Sequence, residues 1–265
     1  SSSGFIGKTD DRSTGKIDGY RTFGGAMPVA FAHRDASTGE GDQCRAYCTV
    51  LSGAACMRTT ALRLAKAVIP ASLRSRLRRS AMLRSCVRRW LSGVRSMPLP
   101  PGDLTFYFDG YRHASYELHG AVELEERDSV DRLLETHRWR SFWDVGANIG
   151  YWSLYLTARL GRELSVRAFE PDEENLVLLR MNADRNHLPW VVRPVGVSDR
   201  VGAALFNRDT ESGATGSLES GHQWITRNFG MQTTGCEIPL TTIDHEVADG
   251  AIAPEMMKID VEGHE

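Results

Sequence analysis

The chain has 265 residues, of which 41% are hydrophobic and 25% charged, an ordinary composition for a soluble globular protein with length for one or two domains. Its formal charge of -2 conceals an asymmetry: residues 1–102 hold 17 Lys/Arg against 6 Asp/Glu, and residues 103–265 hold 15 against 28. An acidic domain with a basic arm repels polyanions over most of its surface and attracts them, or anionic lipid, at one end. No apolar run approaches the roughly eighteen residues of a membrane helix, and no charged-then-apolar leader opens the chain, so a cytoplasmic protein is expected. Five scattered cysteines predict no disulfide framework, and Cys44, Cys48 and Cys56 lack the paired spacing and histidines of a zinc site, so no metal is expected.

In chain order, residues 1–56 are rich in Gly, Ser, Thr and Ala without a sustained period and are expected to be disordered; an upstream sequence foreign to the protein is the alternative. The start at Ser1 and the loop-like Glu-Gly-His-Glu at the end predict truncation at both termini. Residues 57–97 form a basic helical segment with eleven Lys/Arg and no acid, Pro70 dividing two helices. Its cluster Arg74, Arg76, Arg78, Arg79, Arg84, Arg88 and Arg89 reads either as a solvated face or as a weak contact for an anionic surface. Residues 98–140 are expected to hold a linker around Pro98-Leu-Pro-Pro-Gly102, a hairpin pairing Leu104–Phe108 with Ser115–Leu118 across an Asp109-Gly110 turn, and a lead-in helix from Val122 to Arg138.

From residue 141 the pattern becomes strand, glycine turn, helix: Ser141–Val145 is a buried-strand run, Gly146-Ala-Asn-Ile-Gly150 a turn, and Tyr151–Leu160 an amphipathic helix. A second strand, Leu164–Phe169, ends in Glu170-Pro171, twenty residues beyond Gly150. An acid at that strand tip is placed to accept hydrogen bonds from both hydroxyls of a ribose. Asp172, Glu173 and Glu174 open a helix, and Trp190–Val197 makes a third strand closing with Ser198-Asp199. A dinucleotide fingerprint needs a glycine where Asn148 stands, which disfavours NAD. A nucleoside carrying an amino acid fits better, with Asp144 engaging an ammonium and the loop amides a carboxylate.

Four ordered motifs, Asp144-Val-Gly-Ala-Asn-Ile-Gly150, Ala168-Phe-Glu-Pro171, Gly196-Val-Ser-Asp199 and Lys258-Ile-Asp-Val-Glu-Gly-His-Glu265, resemble the FkbM family of methyltransferases. The resemblance covers about residues 104–265. It implies an α/β fold, the class I Rossmann-like three-layer sandwich, of which residues 141–265 are the N-terminal part, stopping after the fourth strand. It also implies S-adenosyl-L-methionine as cofactor, with its methionyl end at Asp144, Gly146, Asn148 and Gly150 and its ribose at Glu170. Ser198 and Asp199 would border the adenine, and Asp260, closing the strand Met256–Asp260, would face the amine and sulfonium. Extra strands at Ala203–Phe206 and Cys236–Leu240 bound an insert that shapes a substrate pocket or is a plain surface hairpin.

The expected reaction is attack of a hydroxyl oxygen of a small molecule, glycan or secondary metabolite on the sulfonium methyl, with Glu262 or His264 as the base. Two other classes are a protein that binds or modifies nucleic acid through the basic arm, and a non-catalytic module that keeps the cofactor fold. The sequence specifies neither the acceptor nor the oligomeric state.

Overall fold

The computed structural model describes residues 4–7, 21–23, 81–119, 124–209, 216, 218 and 233–261. Cys44, Cys48, Cys56 and the arginines from 74 to 79 lie outside them, as do Glu262 and His264.

Two short strands, β1 (Gly4–Gly7) and β2 (Arg21–Phe23), come first, in a stretch for which composition predicts no regular structure. The expectation of disorder therefore does not extend to them. Helix α1 (Ala81–Leu91) then leads into an antiparallel ribbon of β3 (Val94–Leu99) and β4 (Leu104–Asp109). The partner of Leu104–Phe108 is thus upstream, and the expected linker contributes its turn. Ser115–Leu118 is not a strand but part of helix α2 (Ala114–His119). The reason is local: the Asp109 carboxylate accepts hydrogen bonds from the backbone N–H groups of Tyr111 and Arg112, both at 2.9 Å, and so caps a turn that winds into a helix. Helix α3 (Leu124–Thr136) follows, with Val130 and Leu134 buried.

The central unit alternates β5 (Ser141–Val145), α4 (Tyr151–Leu160), β6 (Ser165–Phe169), α5 (Glu173–Arg185) and β7 (Val191–Arg193). Pro194 ends β7 by removing a ladder donor. The chain resumes as β8 (Gly196–Val197), which pairs not with the main sheet but with an arm of β9 (Gly202–Asp209) and β10 (Thr233–Thr241). Helix α6 (Ile243–Ala248) returns the chain to β11 (Met256–Ile259).

The main sheet has the order β2-β1-β11-β5-β6-β7, parallel from β11 to β7, with β1 antiparallel at the edge of β11. All five residues of β5 are buried, as expected for a strand covered on both faces. Phe142, Val166, Ala168 and Met256 point to a core shared with α4, α5 and the β3–β4 ribbon. Trp143, Val145, Phe169 and Met257 point to the opposite face, where Ile243 of α6 packs. The result is an incomplete Rossmann-like α/β sandwich. Two asparagines fasten the ribbon to it: Asn182 bonds the N–H and C=O of Tyr107, and Asn186 those of Thr105. Four helical residues rise about 6 Å and two strand residues about 6.8 Å, so amides at i and i+4 match backbone groups at i and i+2.

Candidate functional site

From β5 the chain crosses to β6 and β7 on one side and returns to β11 on the other, so the sheet has its switch point between β5 and β11. Beyond the carboxyl ends of strands at such a point lies a crevice where α/β proteins hold ligands. A cleft enclosing about 700 Å³, its open mouth included, occupies this place. Gly146 follows β5, Glu170 follows β6 and Asp260 follows β11, and all three line it together with Asn148.

The loop after β5 is shaped by left-handed backbone. Gly146 has φ 72° and Asn148 φ 52°. A side chain on Gly146 would meet the carbonyl of Asp260, so this glycine is required for close approach as well as for its dihedral. Gly150, φ 84°, opens α4 and lies against Leu179 and Trp190 rather than the cleft. The amides of this loop are held by protein oxygens. Gly146 and Ala147 donate to the carbonyl of Phe169 at 3.1 and 2.9 Å, Asn148 to Glu170 Oε2 at 2.8 Å, and Gly150 to Ala147 at 2.8 Å. The expectation that the loop amides bind a ligand carboxylate does not hold for these four.

Asp144 is also placed differently from expectation. It is fully buried beneath the loop and is absent from the cleft wall. Ser153 Oγ donates to its Oδ2 at 2.7 Å, and Lys258 Nζ stands 3.6 Å from its Oδ1. The same ammonium donates to the Gly146 carbonyl at 2.6 Å and lies 3.4 Å from Asp260 Oδ2. The cation beside Asp144 is therefore the protein's own Lys258, which the strand register sets directly opposite.

Glu170 is buried on the cleft wall. Its Oε2 accepts from Asn148 and its Oε1 from the N–H of Asp172 at 2.9 Å. Burial, with a smaller push from the neighbouring Asp172, raises its pKa to about 7 even though these N–H donors oppose the shift. Asp172 caps α5, accepting from the N–H groups of Glu174 and Asn175, and is tied at 3.2 Å to Arg208 of the β9 arm. His113 of the lead-in faces the Asn148 side chain, and burial, with Arg112 beside it, lowers its pKa to about 4.

Ser198 and Asp199 are not on the cleft wall. Asp199 is largely exposed, accepts from Ser198 Oγ at 3.1 Å and pairs with Arg200 at 3.5 Å. The preceding Val195, Gly196 and Val197 take that place. The insert, by contrast, reaches the cleft: Phe206 of β9, Ile238 of β10 and Leu218 between them form an apolar wall. Sequence reasoning missed Lys258 and His113, and for the insert it left a substrate pocket and a plain surface hairpin open. The one signal in the sequence was a lysine two residues before Asp260, inside an otherwise apolar strand. Among the described residues no cluster of His, Cys, Asp and Glu could hold a metal.

With this geometry in view, residues 144–265 match the family described as Methyltransferase FkbM domain. No curated protein matches the chain. Among solved structures, it is similar to a SAM-dependent methyltransferase from Agrobacterium tumefaciens, at 16% identity and a TM-score of 0.29, over 38% of this chain and 32% of that one. The chain thus spans about a third of that protein's length.

Proposed function

We propose that this FkbM-type domain binds S-adenosyl-L-methionine in the cleft at the switch point and transfers its methyl group to a hydroxyl oxygen. The acceptor class we favour is a small molecule, glycan or secondary metabolite. The observation that carries the reading is the convergence of Gly146, Asn148, Glu170 and Asp260 on one cleft, which Asp172 and Asn175 also line and whose apolar lining includes Phe169, Val195, Val197, Phe206, Leu218 and Ile238. A polar half suits ribose and amino acid, and an apolar half suits a purine.

The residues fit such a group. The cofactor, when bound, supplies an electrophilic methyl on a sulfonium. Glu170 Oε2 accepts the backbone N–H of Asn148 and has a second lone pair for a ribose hydroxyl, whereas Oε1 takes the N–H of Asp172 at 2.9 Å and a longer contact from the Asn175 amide at 3.5 Å. Asp260 presents a carboxylate from the adjacent strand tip. Asp144 and Lys258 hold the loop and Asp260 in register from below, a positioning role. Glu262 and His264, two and four residues after Asp260, remain the bases we propose for the acceptor proton, because they follow directly on the strand tip that borders the cleft.

Among the described residues no helix is long and apolar enough to cross a membrane. Cys86 and Cys236 are free thiols, in keeping with the cytoplasmic setting we propose. The test is calorimetric titration of the chain with S-adenosylhomocysteine. Saturable binding that Glu170→Ala reduces by at least about tenfold is expected, since a carboxylate accepting ligand hydroxyls contributes about 1.5–3 kcal/mol. No binding, or equal binding by the variant, would overturn the assignment.

A further inference from the structure

We infer that Arg208 is a positioning residue of the cleft, whose guanidinium pins the far end of the β9–β10 arm to the first turn of α5 and so sets Phe206 against the base of the bound nucleoside; the ligand is the one proposed above, and on that reading the role of Phe206 rests. Among the described residues no strand ladder joins the arm to the main sheet, so side chains decide where it stands over the cleft. Its near end is fixed at Thr241, whose Oγ1 donates at 3.0 Å to Glu246, the buried carboxylate that Arg167 and Arg193 hold from β6 and β7. Its far end carries Arg208, the register partner of Thr234, about 23 Å along β10 from Thr241 at some 3.3 Å per residue. Phe206 and Ile238, which line the cleft, lie between the two points. With the far point released, this wall pivots about the near one.

Strand alternation puts Phe206 and Arg208, at i and i+2, on the same side of β9, while Leu205 on the other side is exposed. Arg208 meets α5 with all three of its nitrogens: Nε stands 3.2 Å from Asp172 Oδ2, Nη2 3.8 Å from Glu173 Oε2 and Nη1 4.0 Å from Glu174 Oε1. A planar guanidinium can face three successive carboxylates at once, a span that the single nitrogen of a lysine does not offer. The side chains of Arg208 and Asp172 are 18% and 4% exposed, so water and salt screen this pair less than one on the surface. Asp172 is a firm anchor, because its Oδ1 takes the N–H groups of Glu174 and Asn175 at 2.8 and 3.3 Å and is thereby locked to the start of the helix.

The clamp is tested first without ligand, on the half-buried thiol of Cys236, which packs with Phe206 and is its register partner. Iodoacetamide modification of the full chain, followed by peptide mass so that Cys236 is read apart from the other cysteines, should run on the order of threefold faster or more in Arg208→Met, with the circular dichroism spectrum unchanged. Arg208→Gln takes its place should that variant not fold. An unchanged rate overturns the clamp. Calorimetric titration with S-adenosylhomocysteine then asks what the clamp positions. Arg208→Met and Phe206→Ala should each weaken binding about tenfold, and the double variant should bind little worse than Phe206→Ala alone, because both changes remove the same contact. Losses that multiply, to about a hundredfold in the double variant, would mean that Arg208 acts without Phe206 and overturn the inference. So would full affinity in Arg208→Met. A parent chain that binds no S-adenosylhomocysteine removes the cofactor reading instead, and the thiol rates still decide whether Arg208 holds the arm.

Discussion

Lys258 and Asp144 are register partners on adjacent parallel strands, and the ammonium of the first stands 3.6 Å from the carboxylate of the second, 3% and 0% exposed respectively. Because that ammonium also holds the Gly146 carbonyl and neighbours Asp260, a single buried cation ties the glycine loop to the next strand tip.

Lys258→Met should therefore be costly. It leaves Asp144 buried without its cation, a loss of about 3–5 kcal/mol in urea unfolding. Adding Asp144→Asn removes the stranded charge and should recover a good part of that. A single variant as stable as the parent would show that the cation does not support the loop.

Glu170 links binding to pH. Its pKa lies near 7, and ribose hydroxyls donate better to the ionised form, so binding nucleoside pulls the pKa down and expels a proton. Affinity for S-adenosylhomocysteine should rise as pH increases toward 7 and level off above it, changing by up to about tenfold per unit below. Calorimetry near neutral pH in two buffers of different ionisation enthalpy should show proton release, and Glu170→Gln should abolish both effects. A flat profile in the parent would remove Glu170 from contact with the ligand.

His113 and Glu170 should oppose each other in the pH dependence of stability. Glu170 has a folded pKa raised from 4.5 to about 7, so its contribution is present below pH 4.5 and is lost as pH rises through about 7. His113 has a folded pKa lowered from 6.5 to about 4, so its contribution is present above 6.5 and is lost as pH falls toward about 4. Each is worth on the order of 3 kcal/mol, at about 1.4 kcal/mol per unit. Urea midpoints of Glu170→Gln should rise with pH across this window, and those of His113→Gln should fall. Parallel slopes in the two variants would contradict the buried, oppositely shifted pair.

Phe206→Ala should weaken S-adenosylhomocysteine binding about tenfold, because the ring forms part of the apolar wall and an aromatic contact of this kind is worth about 1–2 kcal/mol. Leu205→Ala is the control: that side chain is 63% exposed and absent from the cleft wall. Equal losses from both would mean that the arm acts through stability rather than contact.

The unit from β5 to α5 was legible because its signals are local. Ser141–Val145 sets Phe142, Trp143 and Val145 ahead of the turn, Gly146 and Gly150 mark it, and Asp172 caps the next helix four residues before Leu176 opens its apolar face. Glu170 was singled out as the acid at a strand tip, and Gly146, Asn148 and Asp260 by the family resemblance; all four line one cleft. What failed depended on partners distant in sequence. Asp144 could not be separated from the wall without knowing that Lys258 lies opposite it, and Glu246 gave no hint that Arg167 and Arg193 would bury it at 2.6 and 2.8 Å. Asp109-Gly110 was misread because hairpin turns and helix caps use the same residue types, and only the carboxylate's two amide contacts distinguish them.

The side-chain amides of Asn182 and Asn186 occupy the main-chain groups of Thr105 and Tyr107 that an additional strand would need. A lone two-stranded ribbon would otherwise offer a template for sticking to copies of itself during synthesis or heating. Substituting both asparagines with alanine should therefore be felt as clumping of the protein on warming, and, because the Asn182 amide also donates to the Ile149 carbonyl at 2.8 Å, as a loosened glycine loop.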